Sequence, residues 1–196
     1  VPDEPLDIRG IRHTWAMIYG FENWGFLFAE REALVLAVLG KLVRSIDSIS
    51  GIQDSSILPA IKSCLALAAS RQTDYTSTLT RWSVTRETLG NTFGRQALPM
   101  IWDFAEVNPF SDSTGNFGGA IDWVVRVCES NAVIDHSGTV DKATATKHPL
   151  PHDSAQAYIT DPPYYDAVPY AYLSDFFYVW LRRMLGDVHK DLFAAE

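Results

Sequence analysis

The sequence is poor in the features that would place a chain quickly. Its 196 residues include two cysteines, Cys64 and Cys128, far apart and each set among apolar neighbours. That excludes a disulfide framework and a Cys-x-x-Cys zinc site, and predicts two buried, inert thiols. The longest unbroken apolar run is Ala33–Leu39, against the roughly 18 residues a bilayer-spanning helix needs. Basic charge is scarce too: 16 Lys and Arg stand against 24 Asp and Glu, a net charge of -8. A protein that coats nucleic acid along its whole surface is basic, so that class is excluded. No basic-then-apolar leader opens the chain, whose first residues are the acidic Val1-Pro2-Asp3-Glu4-Pro5, so secretion is not expected. The missing initial Met predicts a fragment or a processed product. What is present is a packed globular composition, 47% apolar and 20% charged, sized for one domain or one lobe.

The few bases are unevenly placed. Residues 1–70 carry 8 acids and 6 bases, and residues 96–196 carry 14 acids and 6 bases. Only 71–95 is net positive, with Arg71, Arg81, Arg86 and Arg95 against Asp74 and Glu87. Tyr75, Trp82, Phe93 and several threonines are interleaved with these arginines. Guanidinium, ring and hydroxyl together grip phosphates and stack bases. Arg81, Arg86, Arg95 and Trp82 are therefore candidate nucleic-acid contacts. The plainer alternative is a solvated loop whose arginines pair with nearby acids.

Patterning predicts a mainly helical chain. Phe26–Ile46 reads as a helix apolar all round and hence buried. A second helix is expected over about Ile57–Arg71, capped by Asp54, Ser55 or Ser56 with Pro59 in its first turn. Residues 73–88 are Thr-rich and read as irregular. A third helix is expected from about Thr88 to Glu106, ending before Pro109, and a fourth over about Ala120–Ser130. Val140–Lys147 leans weakly to strand, and Ala157–Thr160 reads as a short apolar strand. A last helix is expected to be capped by Ser174, with Arg182 and Arg183 in its last turn and Gly186 closing it.

One segment carries chemistry: Tyr158-Ile159-Thr160-Asp161-Pro162-Pro163-Tyr164-Tyr165-Asp166. Two successive prolines fix φ and remove two N–H donors. The Asp161 carboxylate and the Pro162 carbonyl can then be aimed at one point as acceptors. Two acceptors suit an exocyclic amine, which has two hydrogens to donate, and the Tyr164 ring can stack on the flat group bearing it. Accepting both hydrogens makes the conjugated nitrogen more nucleophilic toward a methyl group. The plain alternative is a Pro-Pro turn whose Asp caps the next element. Other constellations are weak. His148 and His152 flank Pro149-Leu150-Pro151, which forbids a metal-binding helix. No elbow sequence supports Ser-His-Asp catalysis.

The Asp-Pro-Pro-Tyr corner is similar to that of amino methyltransferases using S-adenosylmethionine. The stretch Arg95–Glu106, then Asn108-Pro109-Phe110-Ser111-Asp112, and the longer segment Asp161–Leu181 resemble blocks of a family of large prokaryotic adenine-specific DNA methylases. Trp24–Arg31 and Ser77–Trp82 are also similar, so the resemblance covers most of the chain from about Trp24. It implies an α/β, Rossmann-like methyltransferase fold with a large helical insertion, in a cytoplasmic bacterial or archaeal enzyme. On this reading residues 1–135 are a mainly helical insertion or recognition region. Residues 136–196 carry the catalytic corner, with one or two short strands near 140–160. Asp161, Pro162, Pro163 and Tyr164 would be catalytic, and Tyr165 and Asp166 would shape the pocket. Thr160, with Thr144, would face the cofactor. DNA would be the partner, its target base flipped out of the stack.

The chain departs from the family pattern in three ways. The Gly-rich cofactor turn is absent, which predicts that an N-terminal half of the same enzyme is missing. The zinc ribbon of some members has no Cys-x-x-Cys here. Thr144 stands where an acid is common. Asn108–Gly119 resembles a Pro-Phe-x-Gly-x-Gly turn, but its glycines come late and no strand pattern precedes it. The competing classes are a non-catalytic helical module binding DNA or a partner through 71–95, and a methyltransferase acting on RNA or a protein amide.

Overall fold

The computed structural model describes residues 1–7, 15–49, 51–134, 136–140, 143, 144, 146, 147, 150–165 and 167–194. Its frame is four helices. They are α1 (Glu30–Arg44), α3 (Leu58–Tyr75), α4 (Phe117–Asn131) and α5 (Tyr170–Leu185), with short helices α2 (Ile46–Ile49) and α6 (Lys190–Phe193) beside them. The only strands among the described residues are β1 (Arg81–Ser83) and β2 (Thr88–Gly90), paired antiparallel with Trp82 opposite Leu89. The mainly helical expectation is met. The strands, however, stand at 81–90 and not near 140–160.

The central element is α3, which packs against α1, α4 and α5. Its composition explains why: Ala66, Ala68, Ala69 and Ser70 are buried, and small side chains let three helices approach closely. Asp54 accepts the Ser56 N–H (2.9 Å) ahead of it, and Pro59 lies in its first turn. The helix runs one turn beyond the expected Arg71.

The apolar stripe of α5, Leu173, Phe176, Val179, Trp180, Met184 and Leu185, is buried. Phe176 lies at the centre of an aromatic cluster, stacked on Phe28 at 5.5 Å and edge-on to Phe93 at 5.3 Å. Truncating a ring so placed costs about 3–5 kcal/mol. Met184 packs over Gly40 of α1, where an added Cβ would lie 3.6 Å from its Cγ. Ser174 is inside α5, its hydroxyl donating to the Ala171 carbonyl (2.7 Å), and Pro169 takes the cap position instead. Arg182 and Arg183 do occupy the last turn, and Gly186 closes the helix with a helical φ of -55°.

Further expectations are corrected. Helix α1 is not buried all round: Ala33, Leu36, Gly40 and Val43 face the core, whereas Leu34, Val38 and Leu42 are exposed. Its neighbours cover one side only. Residues 88–106 form no helix. Strand β2 opens this stretch, and an irregular run follows, bound to the end of α3. Asp74 accepts the Phe93 N–H (3.0 Å) and the Asn91 amide (2.8 Å), and its carbonyl accepts the Thr92 N–H (2.7 Å). The Thr-rich stretch is no solvated loop, since Thr76, Ser77 and Thr80 are buried. Their hydroxyls replace a regular ladder: Ser77 bonds Thr92 (2.8 Å), and Thr80 donates to the Ala105 carbonyl. Ala157–Thr160 is exposed coil, because no neighbouring strand among the described residues offers it a partner. The described part of 140–147 forms no strand either.

Candidate functional site

The Asp-Pro-Pro-Tyr corner lies just before α5. The Tyr164 carbonyl accepts the Ala167 N–H (3.4 Å), and the Tyr170 N–H reaches the Val168 carbonyl (3.0 Å). These tight turns lead the chain into a helix that is itself anchored in the core. Asp161, Pro162 and Pro163 are exposed. Tyr164 is 70% and Tyr165 99% accessible. Neither the Asp161 carboxylate nor the Pro162 carbonyl accepts a hydrogen bond from any described residue. Both acceptors are therefore available to an outside donor. Asp166 lies outside the described residues.

The remaining predicted site residues do not gather around this corner. Thr160 is exposed on the coil. Thr144 bonds locally, its hydroxyl 3.0 Å from that of Thr146 and accepting the Thr146 N–H (3.4 Å). A seat for S-adenosylmethionine needs a glycine-rich backbone turn or an enclosed cleft. The described residues around Thr144 and Thr160 supply neither, so they do not fit that cofactor by themselves.

The hairpin β1–β2 carries three of the four candidate nucleic-acid contacts, Arg81, Trp82 and Arg86, and Arg95 follows it in the irregular run. Arg81, Trp82, Arg86 and Arg95 are all exposed. Arg81 and Trp82 are successive strand residues, so their side chains leave opposite faces. The Arg81 side chain lies along Gly90 and over Gly94, where any Cβ would collide with it. Residues 84–87 close the hairpin, with Glu87 at φ +49°. No described carboxylate ion-pairs with Arg81, Arg86 or Arg95. Arg71 and Tyr75, also in the basic stretch, are not on the hairpin. They face α4, with the Arg71 guanidinium 5.5 Å from the Trp123 ring centre and 5.8 Å from that of Tyr75.

Two arrangements were not legible in the sequence. The first is a cleft of about 210 Å³ between the end of α3 and the start of α4, where Arg71, Gln72, Tyr75, Gly115, Gly119 and Trp123 meet. The second is the cysteine pair. Cys64 of α3 and Cys128 of α4 lie near enough to each other for Cys128 to influence the Cys64 thiol. Cys128 is exposed and Cys64 half-buried, which corrects the picture of two separate buried thiols. Burial, then Cys128, pushes the Cys64 thiol above its usual range.

Carboxyl groups are perturbed around the core. Glu32 is 4% exposed, and burial pushes it up to about 7. The Ala29 N–H opposes this, Glu106 adds to it, and Arg31 opposes it. Burial raises Glu4 as well, but the hydrogen bond from Arg183 (2.7 Å), a backbone hydrogen bond and the charges of Arg183 and Arg182 together hold that carboxyl below its usual range. Asp175 is raised by burial and by nearby Asp7. No group of three or more metal-ligating side chains occurs among the described residues. No described helix is long and apolar enough to cross a membrane. Comparison with protein-family models, curated proteins and solved structures finds no match for this chain.

Proposed function

We propose that this chain carries the amine-activating corner of an S-adenosylmethionine-dependent methyltransferase acting on the exocyclic amine of adenine in DNA. The observation that supports it is the pair of unengaged acceptors, Asp161 Oδ and the Pro162 carbonyl, on a proline-stiffened turn followed by an exposed Tyr164 ring. The two acceptors take the two amine hydrogens. Electron density then shifts onto the nitrogen, and its lone pair turns out of conjugation. Tyr164 stacks on the flipped base and fixes its plane. On this reading the Rossmann-like sheet and the cofactor's seat lie outside the described residues. Single-turnover methylation of duplex DNA by the full-length enzyme tests the stacking role. Tyr164→Phe should keep most activity, because stacking needs the ring and not the hydroxyl. Tyr164→Ala should lose about 1–3 kcal/mol of base stacking. Equal activity of Tyr164→Ala and wild type would remove that role.

A second reading is favoured by a separate observation, the exposed arginines on and just after the hairpin, none of which ion-pairs with a described carboxylate. It is a non-catalytic module that grips DNA through Arg81, Arg86, Arg95 and Trp82. Phosphate contacts weaken with salt in proportion to their number. The double variant Arg81→Ala with Arg86→Ala should bind DNA more weakly at every sequence and with a shallower salt dependence. An unchanged slope would leave the hairpin as ordinary surface.

A further inference from the structure

Helix α4 is more apolar than its packing explains. Phe117, Ile121, Val124, Val125 and Val127 lie along it, yet Ala120 is its only buried residue. Beside it runs an apolar groove of about 250 Å³, walled by Ile57, Ile61 and Leu65 on the α3 side and by Ile121, Val124 and Val125 of α4. Its floor adds only Ala60, Cys64 and Ala68. Ile57 and Val125 are each 45% exposed. The volume is below the roughly 300–1,000 Å³ of sites for drug-sized ligands. The α3 wall, from Ile57 to Ala68, is about 17 Å long. A narrow, long, dry groove between two helices takes the aliphatic side chains of a third.

The rim of this groove is acidic. Asp122 and Glu129 lie three residues before and four residues after Val125, so both border it on α4. Both are exposed, and neither ion-pairs with a described residue. The lysine on the α3 side, Lys62, is already held by Asp47 (2.6 Å). The groove therefore suits an aliphatic helix stripe bordered by positive charge.

The chain itself carries such a stripe, on the outer face of α1. Leu34, Val38 and Leu42 succeed one another at four-residue spacing and form one ridge about 12 Å long, short enough for the groove. Leu34 is 64% exposed, and Val38 and Leu42 nearly half. Lys41 borders the ridge three residues after Val38 and forms no ion pair with a described residue. Arg31, three residues before Leu34, is held by Glu106, and Glu30 lies one turn before Leu34. The free cation thus sits toward the C-terminal end of the ridge.

We propose that the α1 ridge of one copy of this chain seats in the α3–α4 groove of a second copy, with Lys41 against the acidic rim at Asp122 and Glu129. The two surfaces differ, so the contact is heterologous and repeats from copy to copy. One helix ridge is a small contact, and the association is accordingly weak and concentration-dependent. This inference does not rest on the reading of the Asp161 corner, from which no residue enters the ridge or the groove.

Sedimentation velocity of the 196-residue chain at rising concentration tests it, with thermal melts of every variant. The wild type should grow from monomer to dimer and beyond. Leu34→Asp spoils the ridge and Val125→Asp the groove, and each variant alone should stay monomeric. Mixed, they should form a one-to-one dimer and nothing larger, because one intact ridge meets one intact groove. Lys41→Glu, on the surface, should weaken the wild-type association about tenfold by setting like charges together. The double variant Asp122→Lys with Glu129→Lys should restore binding when mixed with Lys41→Glu, which tests the contact without touching an apolar residue. A wild type that is monomeric at every concentration, assembly undiminished by Leu34→Asp or by Val125→Asp, or no dimer in either mixture of folded variants would overturn the proposal.

Discussion

Glu32 shows how one residue sets a condition on the whole fold. Its Oε2 accepts the Ala29 N–H at the start of α1 (2.8 Å), while Oε1 is buried without a partner. Burial wins over the cap, and the carboxyl rises to about 7. A carboxyl raised on folding binds its proton more tightly in the folded chain. Its contribution to stability is therefore complete below its ordinary value near 4.5 and is lost as pH climbs through about 7. Melting temperature should fall between pH 5 and pH 8, by on the order of a few degrees. Glu32→Gln keeps an acceptor for Ala29 and removes the titration, so its profile should be flatter over that range. Parallel profiles for the two proteins would show that another group sets the slope. At this scale the sequence was informative where a residue acts through its chain neighbours. Asp161-Pro162-Pro163-Tyr164 reads as a stiff acceptor corner without any fold. Gln72, Gly115 and Trp123 are separated in the chain and meet only once α3 and α4 pack.

At the scale of elements, patterning marked α1, α3, α4 and α5, although α1 reads as apolar all round and buries one face only. It failed over 73–106. There the order comes from Asp74 and buried hydroxyls bonding distant backbone, and such bonds leave no period to read. It failed too at Ala157–Thr160, where apolar composition was read as a strand although a strand exists only with a partner. The antiparallel pairing of α3 and α4 makes its own prediction. Arg71 meets Trp123 at one end, and Cys64 meets Cys128 toward the other. Treatment with diamide should join the two thiols within one chain, their two hydrogens passing to the diamide N=N bond. Intact mass should fall by about two hydrogens, alkylatable thiols should disappear, and Cys128→Ser should abolish both changes. A cross-link between α3 and α4 should also raise the melting temperature, by constraining the unfolded chain. Two thiols still fully alkylatable after oxidation would contradict this pairing.

At the scale of the whole molecule, an acidic helical body presents two exposed features on separate elements. One is the arginine-bearing hairpin, and the other is the proline corner held by α5. The corner is the more demanding claim, because it assigns chemistry and not only contact. Its measurement is single-turnover methyl transfer to duplex DNA by the protein that carries this chain and by its Asp161→Ala variant, with thermal melts of both. Asp161 is exposed and no described residue depends on its carboxylate, so the variant should melt like the wild type. Its chemical step should slow by orders of magnitude, each lost 1.4 kcal/mol of transition-state stabilisation being worth about tenfold. A folded Asp161→Ala enzyme with full turnover would contradict the assignment of this corner to amine activation.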